Sequence, residues 1–261
     1  MSAAQERHNL ILELLADQGV VTVVELCDKL RVSDMTIRRD LSLLERANLL
    51  RRIHGGAVSL HGRSYEPPFI TRAHESQSAK KAIAAFAASL VNDGDSIAID
   101  VGTTTLELAK QLSNKRNITV ITASLPVANA LADHAGVRLI LTGGILRSGE
   151  HSLIGSLAED SFARFHVDKA FVGIGGIDPE IGLTEYNLED ASVKRSLIQC
   201  GERRILLADS TKFGRRTLAS VAPLSVLHHI VTDEGLASEY LAPIENQGIE
   251  VTLVASDRTR K

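Results

Sequence analysis

The 261-residue chain has no tryptophan, and three tyrosines and six phenylalanines are its whole stock of large aromatic rings. RNA-recognition modules stack bases on clustered aromatics. No RNP-like, KH-like or repeat pattern accompanies these few, so an RNA-binding or scaffolding role has little to rest on. Cysteine is scarcer still: Cys27 and Cys200 lie far apart in helix-like segments, form neither a CxxC pair nor a zinc-ligand cluster, and read as reduced thiols. Redox and structural-metal chemistry lose their support, and no cofactor or metal is expected. No run approaches the roughly 18 apolar residues of a membrane span, and Met1-Ser2-Ala3-Ala4-Gln5-Glu6 lacks a basic-then-apolar leader. The expectation is a cytoplasmic protein without a membrane partner.

What is present is 44% hydrophobic and 23% charged, the composition of a chain with packed cores. Its length exceeds one average domain and implies two. A formal net charge of −3 conceals an uneven distribution. Residues 1–30 carry two basic against five acidic side chains, whereas residues 31–63 carry seven arginines against three acids, with His54 and His61 among them. The remaining residues 64–261 hold 20 basic against 24 acidic side chains. The positive charge is therefore concentrated in one short window, where a polyanionic partner would bind.

Around that window the apolar spacing predicts three helices. Leu10, Ile11, Leu14 and Leu15 mark one face of a first helix over Gln5 to Ala16, ended by Gly19. Thr22-Val23-Val24-Glu25 has the form of a capping box and opens a short second helix through Leu30. Ser33 is a good N-cap for a third, running to about Ala47. On this helix Ile37, Leu41 and Leu44 share a core-facing side, and Met35, Thr36, Arg38, Arg39, Ser42 and Arg46 occupy the opposite one. Leu49 to Ala57 then alternates apolar and basic residues about Gly55-Gly56, as a β-wing would, placing Arg52 and His54 near DNA backbone or minor groove. Two short helices and a tight turn, the second helix arginine-faced, is the arrangement that inserts one helix into a major groove. A solvated basic helix in an ordinary three-helix domain would share the arginine face, but not the whole order of elements.

Ser33-x-x-Thr36-Ile37-Arg38-Arg39-Asp40-Leu41, Leu44-Glu45 and Leu50-x-Arg52-x-His54-Gly55-Gly56-Ala57 resemble the signature of the DeoR family of bacterial transcriptional regulators. The resemblance implies a winged helix-turn-helix over 1–58 that binds double-stranded operator DNA through Ser33, Met35, Thr36, Arg38, Arg39, Ser42, Arg46, Arg52 and His54. Residues 59–77, with Gly62, Ser64, Pro67 and Pro68, read as a linker. Within it Glu66-Pro67-x-Phe69 and Arg72 resemble the family's inter-domain segment, where they would help set inter-domain geometry.

From 78 to 261 a second domain is expected. Short apolar runs at Ser96–Ile99, 118–122, 137–141, 170–174, 205–208, 229–232 and 251–254 mostly alternate with helical stretches, which predicts an α/β fold with a mostly parallel sheet. Ligands of such sheets bind beyond the carboxyl ends of the strands. There Asp100-Val101-Gly102-Thr103-Thr104-Thr105 leads into a helix placed at 106–112, where free amides and hydroxyls suit a phosphate. Taken alone this segment reads first as a capped helix. Gly143 and Gly144 with Arg147, Gly175 and Gly176, and Asp209 with Lys212 follow other strands and would converge with it into a cup. Glu185 leads into a helix bearing Glu189, Lys194 and Arg195, either a charged wall of the cup or its solvated face.

These segments, with Thr142-Gly143-Gly144, Gly182-Leu183-Thr184 and Ala208-Asp209-Ser210-x-Lys212-Phe213, also resemble the DeoR family from Arg7 to about Gly214. The family's sensor domain is similar in fold to ribose-5-phosphate isomerase and binds phosphorylated sugars or related metabolites. By that resemblance the Gly102–Thr105 loop holds the phosphate, and Asp100, Glu185, Asp209 and Lys212 face the sugar. One departure is Ala79 before Lys80-Lys81, where the family has an acidic residue, which leaves Lys80 outside the implied ligand set. The expected protein is a homodimeric or larger regulator, a repressor of a carbohydrate operon, without catalytic residues. The alternative is a sugar-phosphate isomerase-like enzyme with a DNA-binding appendage, in which Asp100, Glu185, Asp209 and Lys212 would move protons.

Overall fold

The structure, a computed structural model, describes residues 3–47, 49–59 and 63–255; His61 of the basic window and Gly62 of the linker lie outside them. The chain divides into two compact units, Met1–Tyr65 and Glu66–Lys261. In the first, α1 (Ala3–Gln18) is followed by β1 (Val20–Thr22), α2 (Val23–Leu30), α3 (Asp34–Arg46), β2 (Leu50–Ile53) and β3 (Gly56–Ser59). The caps behave as their chemistry requires: Thr22 Oγ1 accepts from the Glu25 amide at 3.2 Å, and Ser33 Oγ from the Thr36 amide at 3.3 Å. The Gly19 amide closes α1 on the Leu15 carbonyl, and the chain then adds β1 to the wing, giving the antiparallel order β1-β3-β2.

Ile11, Leu15, Val21, Leu26, Ile37, Leu41, Leu44 and Leu50 form the core of this unit. Leu10, grouped with them by spacing, is instead 46% exposed. The face of α1 centres on Ile11 and Leu15, and one turn earlier it presents Arg7 and His8 to α3, which carries the buried Asp40. Arg7 Nε reaches Asp40 Oδ2 at 2.5 Å and His8 Nε2 lies 2.9 Å from Oδ1. Burial alone would raise this carboxyl, but the two donors hold it below the usual carboxylate range.

The helices of the second unit begin with α4 (Phe69–His74) and α5 (Gln77–Ser89), so the stretch read as a linker contains a helix, and from Glu66 onward it belongs to this unit. There follow β4 (Ser96–Ile99), α6 (Thr103–Gln111), β5 (Ile118–Thr122), α7 (Leu125–Leu131), β6 (Val137–Leu141), β7 (Ile145–Arg147), β8 (Ser152–Ile154), α8 (Ser156–Ala163) and β9 (Val167–Val172). The unit closes with β10 (Gly176–Asp178), β11 (Gly182–Glu185), α9 (Leu188–Cys200), β12 (Gly201–Leu207), β13 (Ala219–Ala222), β14 (His229–Asp233), α10 (Leu241–Glu245) and β15 (Glu250–Val254). The seven apolar runs are the seven strands of one parallel sheet, in the order β15-β14-β12-β9-β4-β5-β6. Apolar clusters cover both faces: Ile83, Leu108 and Leu131 pack on one, Phe162, Leu197 and Ile244 on the other. Each such fully buried side chain contributes roughly 1.5–3 kcal/mol, which is why these strands read as unbroken apolar runs. Small antiparallel sheets, β10-β11-β13 and β7-β8, lie outside the main sheet.

From β4 the chain runs outward through β5 and β6, then returns to place β9 on the other side of β4 and continues through β12 to β15. Strand order reverses between β4 and β9, and the loops beyond their carboxyl ends diverge there to leave a crevice. No helix among the described residues is long and apolar enough to cross a membrane.

Candidate functional site

On the first unit the exposed face of α3 carries every side chain expected there. Met35 is 78% exposed, the largest apolar exposure on the helix. Arg39 and Arg46 are exposed and make no ion pair among the described residues. Arg38 does: its Nε donates to Asp34 Oδ1 at 2.5 Å and its Nη2 to Oδ2 at 3.2 Å. Ser33 and Thr36 are joined hydroxyl to hydroxyl at 2.9 Å at the start of α3. The wing is tied to the helix, because Arg52 Nη1 donates to Ser42 Oγ at 2.7 Å and the Arg52 amide to Glu45 Oε1 at 2.9 Å. Ser42 and Arg52 therefore position one another, and His54 stands at the exposed wing turn, where Gly55 takes φ +80°.

On the second unit a cavity partly open to solvent lies at the carboxyl ends of β4 and β9. Its floor is α6, which starts at Thr103, three residues earlier than the spacing suggested, with Gly102 as N-cap. A glycine cap has no side chain to accept from the first amides of the helix, which have no intrahelical partner, and Gly102, Thr103 and Thr104 line the cavity. Thr105 lies one position further round: it is fully buried and its hydroxyl donates to the Gly102 carbonyl at 3.0 Å.

Asp100, at the end of β4, accepts from the Val101 amide at 2.8 Å, the Gly173 amide at 3.0 Å and Lys194 Nζ. Lys194 comes from α9, is buried, and also donates to the Gly173 carbonyl at 2.8 Å, with Glu185 Oε2 at 3.5 Å. Burial would lower the pKa of this ammonium, but Asp100 and Glu185 outweigh it and hold the pKa above the usual lysine value. Gly175 lets Glu185 approach, since a Cβ there would stand 2.7 Å from Glu185 Oε1. Arg147 and Lys212 complete the expected lining.

Besides Thr105, four expected residues lie outside the lining. Gly143 and Gly144 pack against Leu157 and Ile154 in the turn after β6, Gly176 lies in β10 against the Arg215 backbone, and the buried Asp209 caps a short turn by accepting from the Thr211 amide at 3.2 Å. Of the α9 residues left open between wall and solvated face, Lys194 is wall and Glu189 is exposed, while Arg195 donates to the Ser220 carbonyl of β13 at 2.8 Å. Lys80 is buried with its Nζ on the Arg72 carbonyl; burial lowers it to about 8 despite Asp209.

Four charged residues line the cavity without having been expected there: Glu66, Arg72, Glu150 and Asp190. Arg72 Nη2 lies 3.0 Å from Glu66 Oε1 and also donates to Glu150, and Arg147 Nη1 lies 2.8 Å from Glu66 Oε2 and also donates to Asp190. The Glu66-Pro67-x-Phe69 and Arg72 pattern was their one sequence signal.

A helix-turn-helix reader with an exposed arginine face, followed by an α/β unit with a polar cup at its topological switch point, defines a DNA-binding regulator with its own sensor. The DeoR-like helix-turn-helix domain matches residues 7–63 and the DeoR C terminal sensor domain matches residues 75–234. The chain belongs to the DeoR family of transcriptional regulators. It is 36% identical over 228 residues to the glycerol-3-phosphate regulon repressor of Escherichia coli K12, covering 87% of this chain and 90% of that one. It is 37% identical over 235 residues to the transcriptional repressor AccR of Agrobacterium fabrum, covering 90% and 91%. Among solved structures, ribose 5-phosphate isomerase A of Methanocaldococcus jannaschii covers 51% of this chain and 53% of its own at 17% identity, with a TM-score of 0.38, too low to bear on activity.

Proposed function

We propose that this chain is a repressor of a carbohydrate operon, binding its operator as a homodimer or larger assembly and changing its operator affinity when a phosphorylated sugar or related metabolite fills the cup. The observation that carries the reading is the N-terminus of α6: Gly102, Thr103 and Thr104, where a helix offers its free amides, line a cavity that also presents Lys212 and carboxylates suited to sugar hydroxyls. Major-groove readers of this kind reach specificity as symmetric dimers on paired half-sites, which supports the assembly. The effector acts by binding two arrangements of the regulator with different affinity.

Binding without turnover is part of the reading. Asp100 accepts three hydrogen bonds, one of them from Lys194, and Glu185 lies 3.5 Å from the same ammonium, so both carboxylates are already engaged within the cup and neither stands free to move a proton. The test is a thermal-shift screen of the full chain against sugar phosphates and glycerol 3-phosphate, followed by operator titration with each hit. A phosphorylated compound that raises the melting temperature and alters operator affinity supports the function; no response to any phosphorylated compound overturns the cup.

A further inference from the structure

The Glu66-Pro67-x-Phe69 and Arg72 motif has no part in the DNA face or in the phosphate-holding amides, yet it builds one wall of the cup. Glu66 is the first residue of the second unit and follows directly on Tyr65, the last of the first. Its carboxylate is shared between Arg72 on α4 and Arg147 on β7, at 3.0 and 2.8 Å. Each guanidinium holds a second acid, Glu150 for Arg72 and Asp190 for Arg147, so the charges alternate in the order Glu150, Arg72, Glu66, Arg147, Asp190.

The members of this chain are not equally secured. Ser152 Oγ donates to Asp190 at 2.9 Å, Arg72 Nε donates to the Pro67 carbonyl at 2.9 Å, and Lys80 caps the Arg72 carbonyl. Glu66 is the carboxylate shared by both guanidiniums, and its buried Oε2, 2.8 Å from Arg147 Nη1, accepts no hydrogen bond of good geometry. Burial and the nearby Glu150 and Glu185 push it up to about 7 against the pull of Arg72 and Arg147. Across the cup, Glu66, Asp100, Glu150, Glu185 and Asp190 outnumber Arg72, Arg147, Lys194 and Lys212. An entering anion adds negative charge to a site already acidic, and Glu66, standing between both guanidiniums, occupies the place from which an anion would reach the two together.

We propose that Glu66 and the anion of the effector compete for Arg72 and Arg147, so that effector binding frees Glu66 and with it the segment that joins the sensor to the DNA-reading unit. This inference rests on the anion cup proposed above. It assigns Arg72 and Glu66 to the effector site, and it gives the connector a direct part in signalling.

The test uses the full chain and inorganic phosphate as probe. Phosphate affinity is measured by calorimetry for the wild type, Glu66→Gln and Glu66→Ala, and amide exchange of residues 69–75 is followed with and without phosphate. Removing the competitor should tighten phosphate binding by about tenfold or more, and either variant suffices if the other fails to fold. In the wild type, phosphate should speed exchange of these amides; in the variants exchange should be fast already and change little. A merely structural Glu66 would weaken phosphate binding when lost. Phosphate affinity that is unchanged or weaker in the variants overturns this inference alone, as does a wild-type connector whose exchange ignores bound phosphate. Absence of phosphate binding by every variant overturns the anion cup itself.

Discussion

Replacing Asp100 with Ala probes the most deeply enclosed ion pair of the cup among the described residues. Lys194 would keep the Gly173 carbonyl at 2.8 Å and Glu185 at 3.5 Å but lose its closest counter-charge, in a position only 3% exposed. Breaking a buried pair on one side costs about 3–5 kcal/mol, because the surviving charge stays desolvated. Glu185 compensates in part, which places the expected loss near the lower end, about 3 kcal/mol. For a domain of this size, about 2–4 °C of melting temperature accompanies each kcal/mol, so the second unit should melt roughly 6–12 °C lower. The chain has no tryptophan, so urea and thermal unfolding are best followed by far-UV circular dichroism. Adding Lys194→Met removes the stranded ammonium and should recover most of the loss. A single variant within about 1 kcal/mol of the wild type, or a double variant no more stable than the single one, would refute the reasoning.

Other consequences can be checked independently. Arg39→Ala should reduce discrimination between operator and unrelated duplex by roughly ten- to a hundredfold in gel-shift titrations if this arginine grips a guanine; equal discrimination removes Arg39 from the reading surface. Asp34→Ala takes an acid from the DNA-facing helix and unclamps Arg38, so affinity for unrelated duplex should rise while discrimination falls, and a parallel drop in both would contradict the positioning role. Glu66, faced by Arg72, Arg147, Glu150 and Glu185, titrates near 7 in the fold and at its ordinary value of 4.5 when unfolded. Between those values the folded state binds the extra proton, so the second unit should lose stability as pH rises through that window, and Glu66→Gln should flatten the trend in melting temperature. Asp40 works with the opposite sign: held below the usual carboxylate range, it stabilises the first unit above that range and ceases to do so as pH falls through its folded pKa. Gly102→Val places a branched side chain at the φ +150° cap of α6 and should abolish phosphate binding while leaving operator binding intact.

Much of the architecture is legible from apolar pattern alone. A parallel sheet covered on both faces demands uninterrupted apolar strands, and all seven runs became its strands. The strands that left no trace, β1, β7, β8, β10, β11 and β13, have three or four residues each, too few to establish a period of two. Proline at 67 and 68 disguised the start of α4, although proline is well tolerated just before a helix. Threonine is a poor helix former, which hid the first turn of α6.

The site was legible where it depends on strand ends and obscure where it depends on pairing. Asp100, Gly102, Thr103, Thr104, Gly175 and Glu185 stand at ends that the topology rule brings together. Glu150 meets Arg72 across 78 residues of sequence, a contact that no local pattern announces. Gly143, Gly144 and Gly176 carry the same turn-like signal as Gly102, but Gly144 and Gly176 lie where backbone packs on backbone and Gly143 rests on the Leu157 side chain.

The account stands or falls on the coupling of the cup to the DNA face. Its most direct measurement is operator affinity of the full chain, on a duplex selected from a random library, with and without the phosphorylated compound that most raises the melting temperature. The account predicts a change in affinity of roughly 5- to 150-fold, lost in Gly102→Val although that variant still binds the duplex. An affinity that stays the same at saturating ligand would contradict it.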